Sequence, residues 1–221
     1  MASDTATDTQ PRWHRRPDDR PDEILDAAWA VFAEQGFARA RLEDVARRAG
    51  VSKGTVYLYF DSKETLFREV IRSKVVTCVL EGEEFVRAHE GPTNELLSTL
   101  IARMWQVMGD EVRVQLLRLV HAELPNFPEV ARFYFEEVIL RSRRMLESVI
   151  RRGIERGEFR PVSPEFVARA IPAMVMQLSS VRCFFARYDN YRPSGEEMAR
   201  AMTDLVLEGL RARTPLAEVA S

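Results

Sequence analysis

Long hydrophobic runs are missing from this 221-residue chain. A helix crossing a bilayer takes roughly 18 to 20 consecutive apolar residues, so no membrane span is expected. The first twenty residues are polar and hold no apolar stretch of the signal-peptide type. Cysteine is scarce. The two present, Cys78 and Cys183, lie far apart and outside any metal-ligand spacing, which argues against a disulfide framework and suits a reducing cytoplasm. The three histidines, His14, His89 and His121, have no zinc spacing either. Neither a metal nor a cofactor is expected. A Gly-x-Ser-x-Gly elbow and a phosphate-cradling glycine loop are both absent. An enzyme working from the helical body is therefore the weaker class, to be decided by a turnover assay, and no catalytic residue is assigned. No segment alternates with period two, and there is no low-complexity tract or internal repeat. Charge of one sign is lacking too: 32 Lys and Arg against 34 Asp and Glu give a formal net charge of −2 and a pI near 6.0.

What the chain does have is 46% apolar and 30% charged residues, enough for a sizeable core without staples. Its apolar residues recur with helical spacing. Ile24, Ala27, Ala28, Val31 and Phe32 fall on one helix face, and Gly36 supplies a left-handed stop. A short helix is expected over 43–49, ended by Gly50. Ser52 can cap a second one running to about Tyr59. Asp61 and Glu64 read as a capping box before a longer helix with Leu66, Phe67, Val70 and Ile71. Gly91-Pro92 and Gly109-Asp110 break the chain on either side of a helix with Leu96, Leu97, Leu100, Ile101, Met104, Trp105 and Met108. A helix is expected over 111–123, and Asn126 with Glu129 reads as a capping box for a long one reaching Gly153 to Gly157. Ser163-Pro164 is a start signal, and Ser194 with Glu197 caps the last helix. The fold class is all-α, with about nine helices. The expected organisation is a flexible arm over 1–20, a helix-turn-helix unit over 21–67 and a larger helical domain over 68–221.

Local charge says more than the total. Between Arg39 and Arg68 seven Lys and Arg stand against four acids, and Arg12 to Arg20 adds four arginines against two aspartates beside Trp13 and His14. A basic patch in an otherwise acidic protein points to a phosphate partner. The arm is read first as a solvated tail and second as a minor-groove reader. Within 43–67, Val45, Ala46, Ala49, Val51, Val56 and Phe60 can lock two short helices together, with Gly50 permitting the sharp turn. The second helix is about 10 Å long, close to the roughly 12 Å width of the major groove of B-DNA. With Val56, Tyr59 and Phe60 turned partly inward, Lys53, Gly54, Thr55, Tyr57 and Leu58 face outward. Tyr57 offers a phenol to a phosphate; Tyr59 is expected to pack, its hydroxyl at most reaching a phosphate. Lys63, at the start of the next helix, is expected on a phosphate, and its loss to flatten the salt dependence of binding.

These residues resemble the DNA-binding domain of the TetR family of bacterial transcriptional repressors. The likeness covers 24–67. It rests on the Ile24-to-Phe32 pattern with Gly36-Phe37, on Asp44-Val45-Ala46, and on Ala49-Gly50-Val51-Ser52-Lys53-Gly54-Thr55-Val56-Tyr57. Tyr59-Phe60, Lys63-Glu64 and Leu66-Phe67 complete it. The family often has Thr or Ser before the second helix; here Arg41-Leu42 stands there, so Arg41 can reach phosphate while the cap is missing. The resemblance implies a homodimer through the last two helices, a double-stranded DNA operator of near-palindromic form, and a small-molecule effector held in the helical body. Candidate effector contacts are Ile101, Trp105, Met108, Phe133, Met174, Gln177 and Val181, a mixed lining that suits a hydrophobic or amphipathic molecule. Stripes such as Met104, Trp105 and Met108 also make ordinary core, and Gln177 fits an interface amide equally well. Pro172 is expected to kink its helix. The cysteines read as buried inert thiols, and Gly153 to Gly157 reads as a termination turn. Control by a protein partner instead of a small molecule remains the alternative; a large exposed apolar patch would favour it.

Overall fold

The computed structural model describes residues 20–109, 114, 119–120, 122–185, 187–191 and 193–212. Among these residues the chain forms eight helical rods and no sheet, and the single β-bridge pairs Phe159 with Arg211. The all-α expectation holds. The arm with Trp13 and His14, most of the 111–123 helix, His121 and the side chain of Cys183 lie outside the described residues.

Helix α1 (Arg20–Gln35), α2 (Leu42–Ala49), α3 (Lys53–Tyr59) and α4 (Lys63–Ile71) form the amino-terminal part. The predicted α1 stripe is the buried one: Ile24, Ala28 and Phe32 are fully enclosed. Gly36 and Gly50 take φ of 79° and 67°, a left-handed region that only glycine enters without steric cost. Ser52 Oγ accepts from Thr55 N at 3.0 Å and caps α3 as expected. The cap of α4 differs from the expectation. Ser62, not Asp61, accepts from the backbone of Thr65. Two hydroxyl residues three apart compete with the acidic pair here, and the shorter Ser side chain reaches the N–H.

α4 runs through a π turn at Arg72–Val76 into α5 (Thr77–Ala88). α6 (Thr93–Gly109) follows, then α7 (Pro128–Tyr134), a second π turn at Phe135–Leu140 and α8 (Arg141–Glu155). The Asn126 box does not form: Phe127 takes the cap position without a side-chain bond, and Pro128 starts α7. Proline at that point removes a donor that a cap would otherwise satisfy. α9 (Pro164–Phe184) starts at Ser163 as predicted and continues as one helix through Pro172. α10 (Gly195–Leu210) carries the full Ser194–Glu197 capping box.

Gly157 is the termination turn expected, with φ 71°. Gly153 does another job. A Cβ there would lie 2.2 Å from the ring of Phe159, so glycine lets that buried ring fold back on α8. Glu158 beside it accepts from Thr93 N at 2.6 Å and Asn94 N at 3.3 Å, which ties the start of α6 to the same corner.

The buried side chains form two clusters. One gathers α1 to α4 and continues through Val70, Ile71, Val76 and Val79 to Val120, Val130, Tyr134 and Val138; packing therefore does not stop at residue 67. The other fills the space between α6, α8, α9 and α10, with Leu97, Ile101, Trp105, Ile150, Ile171, Val175 and Met202.

Candidate nucleic-acid interface and effector site

α3 is seven residues long and presents itself at the surface because only Val56, with the following Phe60, is buried. Those two anchors sit four residues apart, on one side of the helix. Lys53, Gly54 and Leu58 are exposed, and Thr55 is half-buried with its hydroxyl 2.8 Å from Ser52 Oγ. The two tyrosines are closer in status than the sequence suggested. Tyr57 is 44% exposed and Tyr59 is 39% exposed, its ring tilted 6.4 Å from Phe60. Val56 and Phe60 take the buried side of α3 and leave Tyr59 off it, so the inward placement of Tyr59 is corrected.

Lys53 reaches Glu43 on α2 in an exposed ion pair and lies 5.6 Å above the Tyr57 ring. The Lys53 bond holds the Glu43 carboxyl below its ordinary value, and the Glu43 bond raises Lys53 in turn. Sequence reading missed Glu43 as this partner; its signal is an acid on the first turn of α2, one helix before the lysine. Arg41 occupies the cap position of α2, exposed and with no side-chain capping bond.

Lys63 is the main departure. Its Nζ donates to the carbonyls of Phe37, Ala38 and Ala40 at 2.8, 3.1 and 3.3 Å and lies 4.5 Å over the Phe37 ring. An ammonium has three protons, and all three are committed to the loop between α1 and α2. In this structure the ammonium expected on a phosphate acts as a structural pin. The pinned Phe37 stacks on Phe67 at 4.5 Å and meets Phe127 edge-on at 4.6 Å. Ala38 N also donates to Glu123 Oε1 at 3.4 Å. The loop leading into α2 is thus clasped by α4 on one side and by the segment before α7 on the other.

In the body, Ile101 and Trp105 are buried in the second cluster, and Met108 and Met174 pack against it. Val181 is half-buried. Two candidates do not join them. Phe133 packs on the first cluster, with the Arg72 guanidinium 5.0 Å from its ring. Gln177 is exposed, because Ala168, Ile171, Val175 and Ser179 take the inner face of α9 and Gln177 lies two residues from either neighbour. The open polar cleft along α8, between Arg144 and Glu155, contains none of the candidates. Among the described residues no His, Cys, Asp and Glu cluster could hold a metal, and no helix is long and apolar enough to cross a membrane.

Comparison with known proteins matches two family models. Residues 24–70 match the bacterial regulatory proteins of the tetR family, and residues 95–212 match the AefR-like transcriptional repressor carboxy-terminal domain. The transcriptional repressor KstR2 of Rhodococcus jostii is 26% identical over 216 residues, covering 95% of this chain and 98% of its own. The crystal structure of a TetR-family transcriptional regulator from Mesorhizobium loti superposes with a TM-score of 0.72 at 27% identity, over 89% of this chain and 96% of that one. The regulator FadR of Bacillus subtilis, solved with stearoyl-CoA, shares the fold at a TM-score of 0.68 and 19% identity, over 86% of this chain and 99% of its own.

Proposed function

Because this chain belongs to the TetR family of bacterial regulatory proteins, we propose that it is a ligand-responsive repressor that binds a near-palindromic operator as a homodimer. The observation that carries the reading is α3: a short helix, pinned by Val56 and Phe60, that turns Lys53, Gly54, Tyr57 and Leu58 outward and leaves Thr55 half-exposed. In a two-fold dimer two such helices enter successive major grooves about 34 Å apart. Arg41, Lys53 and Tyr57 then contact phosphates, Thr55 and Leu58 face base edges, and Gly54 allows close backbone approach. Residues 21–67 are the reading unit, 68–221 hold effector and partner, and 1–20 form an arm.

The dimer surface is supported by Phe166, Met176, Leu178 and Leu205, apolar side chains left exposed on α9 and α10. The effector is a hydrophobic or amphipathic small molecule taken up by the second cluster, where Ile101, Trp105, Met108 and Met174 sit, with the half-buried Val181 of α9 as a further contact. It releases DNA only as far as it binds the mis-spaced conformer more tightly than the DNA-bound one. A route exists in the shared first cluster, since Phe127, Val130 and Tyr134 of the body pack with the loop and helices that orient α3.

Sequencing of genomic DNA captured by the purified full-length chain tests the reading. Enrichment of a few inverted-repeat sites is expected; capture without a shared motif would refute it. A smaller effect follows from the Glu43–Lys53 pair. Glu43→Gln removes an acid facing the operator and releases Lys53, so affinity for the captured site should rise about threefold at low salt with an unchanged melting midpoint. A weaker complex in a mobility-shift titration would show instead that the pair orients Lys53 for DNA.

A further inference from the structure

Two polar atoms deep in the carboxy-terminal body have no hydrogen-bond partner among the described residues: Trp105 Nε1 and Ser179 Oγ. Each residue is only 3% exposed. Leaving a buried donor unpaired costs about 1–3 kcal/mol, and native proteins keep few such groups without a use.

Helix geometry puts the two at a similar height in the body. α6 and α9 pack on each other and start at the same corner, where Glu158 binds the first turn of α6 and Glu165 of α9 pairs with Arg151 at the end of α8. They therefore run in parallel. At about 1.5 Å of rise per residue, Trp105 lies about 18 Å along α6 from Thr93 and Ser179 about 22 Å along α9 from Pro164. The difference is less than one turn. Both residues continue buried stripes, Leu97–Ile101–Trp105 on α6 and Ile171–Val175–Ser179 on α9, which meet in one cluster. Met104, Met108 and Met174 border that cluster, and unbranched thioether side chains reshape around a guest at little cost.

The chemistry of the guest follows from the donors. An indole N–H can only donate, and a serine hydroxyl can donate alongside it, so the complement is an oxygen with lone pairs. Thr93 and Ser179 are the only polar or charged residues fully buried among those described. No Lys or Arg is fully buried among the described residues, so a carboxylate placed deep between α6 and α9 would have from these helices only the half-buried Arg182, three residues beyond Ser179, to draw on, a heavy cost in an apolar interior. We propose that Trp105 and Ser179 form the polar end of the effector pocket and receive an uncharged carbonyl oxygen carried on an apolar chain. This rests on the reading of the body as the effector domain.

The test uses the full-length protein labelled with 15N at tryptophan. The chain has three tryptophans, and Trp105→Phe assigns the relevant indole signal by its loss. Titration with 2-undecanone is expected to move the Trp105 N–H signal downfield to saturation. Trp105→Phe should weaken the ketone about tenfold and Ser179→Ala about threefold, the range for one neutral hydrogen bond. Undecanoate, the charged counterpart of equal chain length, should bind at least about tenfold more weakly than the ketone. A stationary Trp105 signal, equal affinity in Trp105→Phe, or tighter binding of undecanoate would each overturn the assignment. Mobility shifts on captured genomic DNA run in parallel. A retained operator complex beside a failed titration refutes the pocket and leaves the repressor standing, whereas absence of specific DNA binding refutes the repressor whatever the titration shows.

Discussion

Tyr57→Ala is expected to weaken operator binding by at least about a hundredfold while leaving the dimer folded. Two features of the side chain set both halves of that outcome. Tyr57 is 44% exposed and its described neighbour is the mobile-stemmed Lys53 ammonium, 5.6 Å from the ring; removing it takes little from the core, and surface substitutions of this kind stay within about 0.5 kcal/mol. On DNA the same phenol is worth a hydrogen bond to an ionised phosphate plus ring contact with the sugar, about 1.5 kcal/mol or more per half-site. A two-fold dimer loses it twice, and about 3 kcal/mol corresponds to more than a hundredfold in affinity. Mobility-shift titration paired with thermal melting reads both quantities. An unshifted binding curve would remove Tyr57, and with it the outward face of α3, from the interface. Tyr59→Ala makes the comparison, since at 39% exposure that side chain is also open to a DNA contact.

Lys63→Met should act on the fold before it acts on DNA. The substitution keeps the apolar stem and deletes the ammonium that binds three carbonyls of the loop between α1 and α2. Hydrogen bonds from a charged donor contribute about 1.5–3 kcal/mol each. The site is half-buried and the bonds share one donor, so their loss is not additive, and water recovers part of it. A net cost of about 2–3 kcal/mol is expected, which for a chain of this size lowers the melting midpoint by about 5–10 °C. Operator affinity should fall as well, because the loop sets the entry of α2 and so the angle of α3. The salt slope separates this from a phosphate contact. A lost phosphate contact lowers the slope by about one unit per site with the melting midpoint unmoved, whereas a lost pin lowers the midpoint and leaves the slope in place. Finding the first pattern would return Lys63 to the DNA surface.

The amino-terminal helices were readable because their determinants are local. Gly36 and Gly50 stand where a left-handed residue must end a helix, Ser52 and Ser194 have their caps three residues on, and the Ile24-to-Phe32 stripe has only one face to bury. Local rules failed where two local choices were nearly equal. Ser62 displaced Asp61 at the start of α4, and Pro128 made the Asn126 box unnecessary. They failed again where an inner face had to be chosen without its partner helix. Gln177 looked central because it is the polar residue of an apolar helix, yet the buried face of α9 runs through Ile171, Val175 and Ser179 and leaves it outside.

By itself the sequence determined the all-α class, the helix-turn-helix with its outward residues Lys53, Gly54, Tyr57 and Leu58, and the membership those residues signal. All of these depend on spacing along a single turn or two of chain. Tertiary structure alone decided that Lys63 holds a loop, that Phe133 packs with the DNA-reading half, and that Trp105 and Ser179 reach the same level of the body with their polar atoms unpaired. Each of those depends on which distant segments pack around a residue, and periodicity along a chain carries no information on which distant segment arrives opposite.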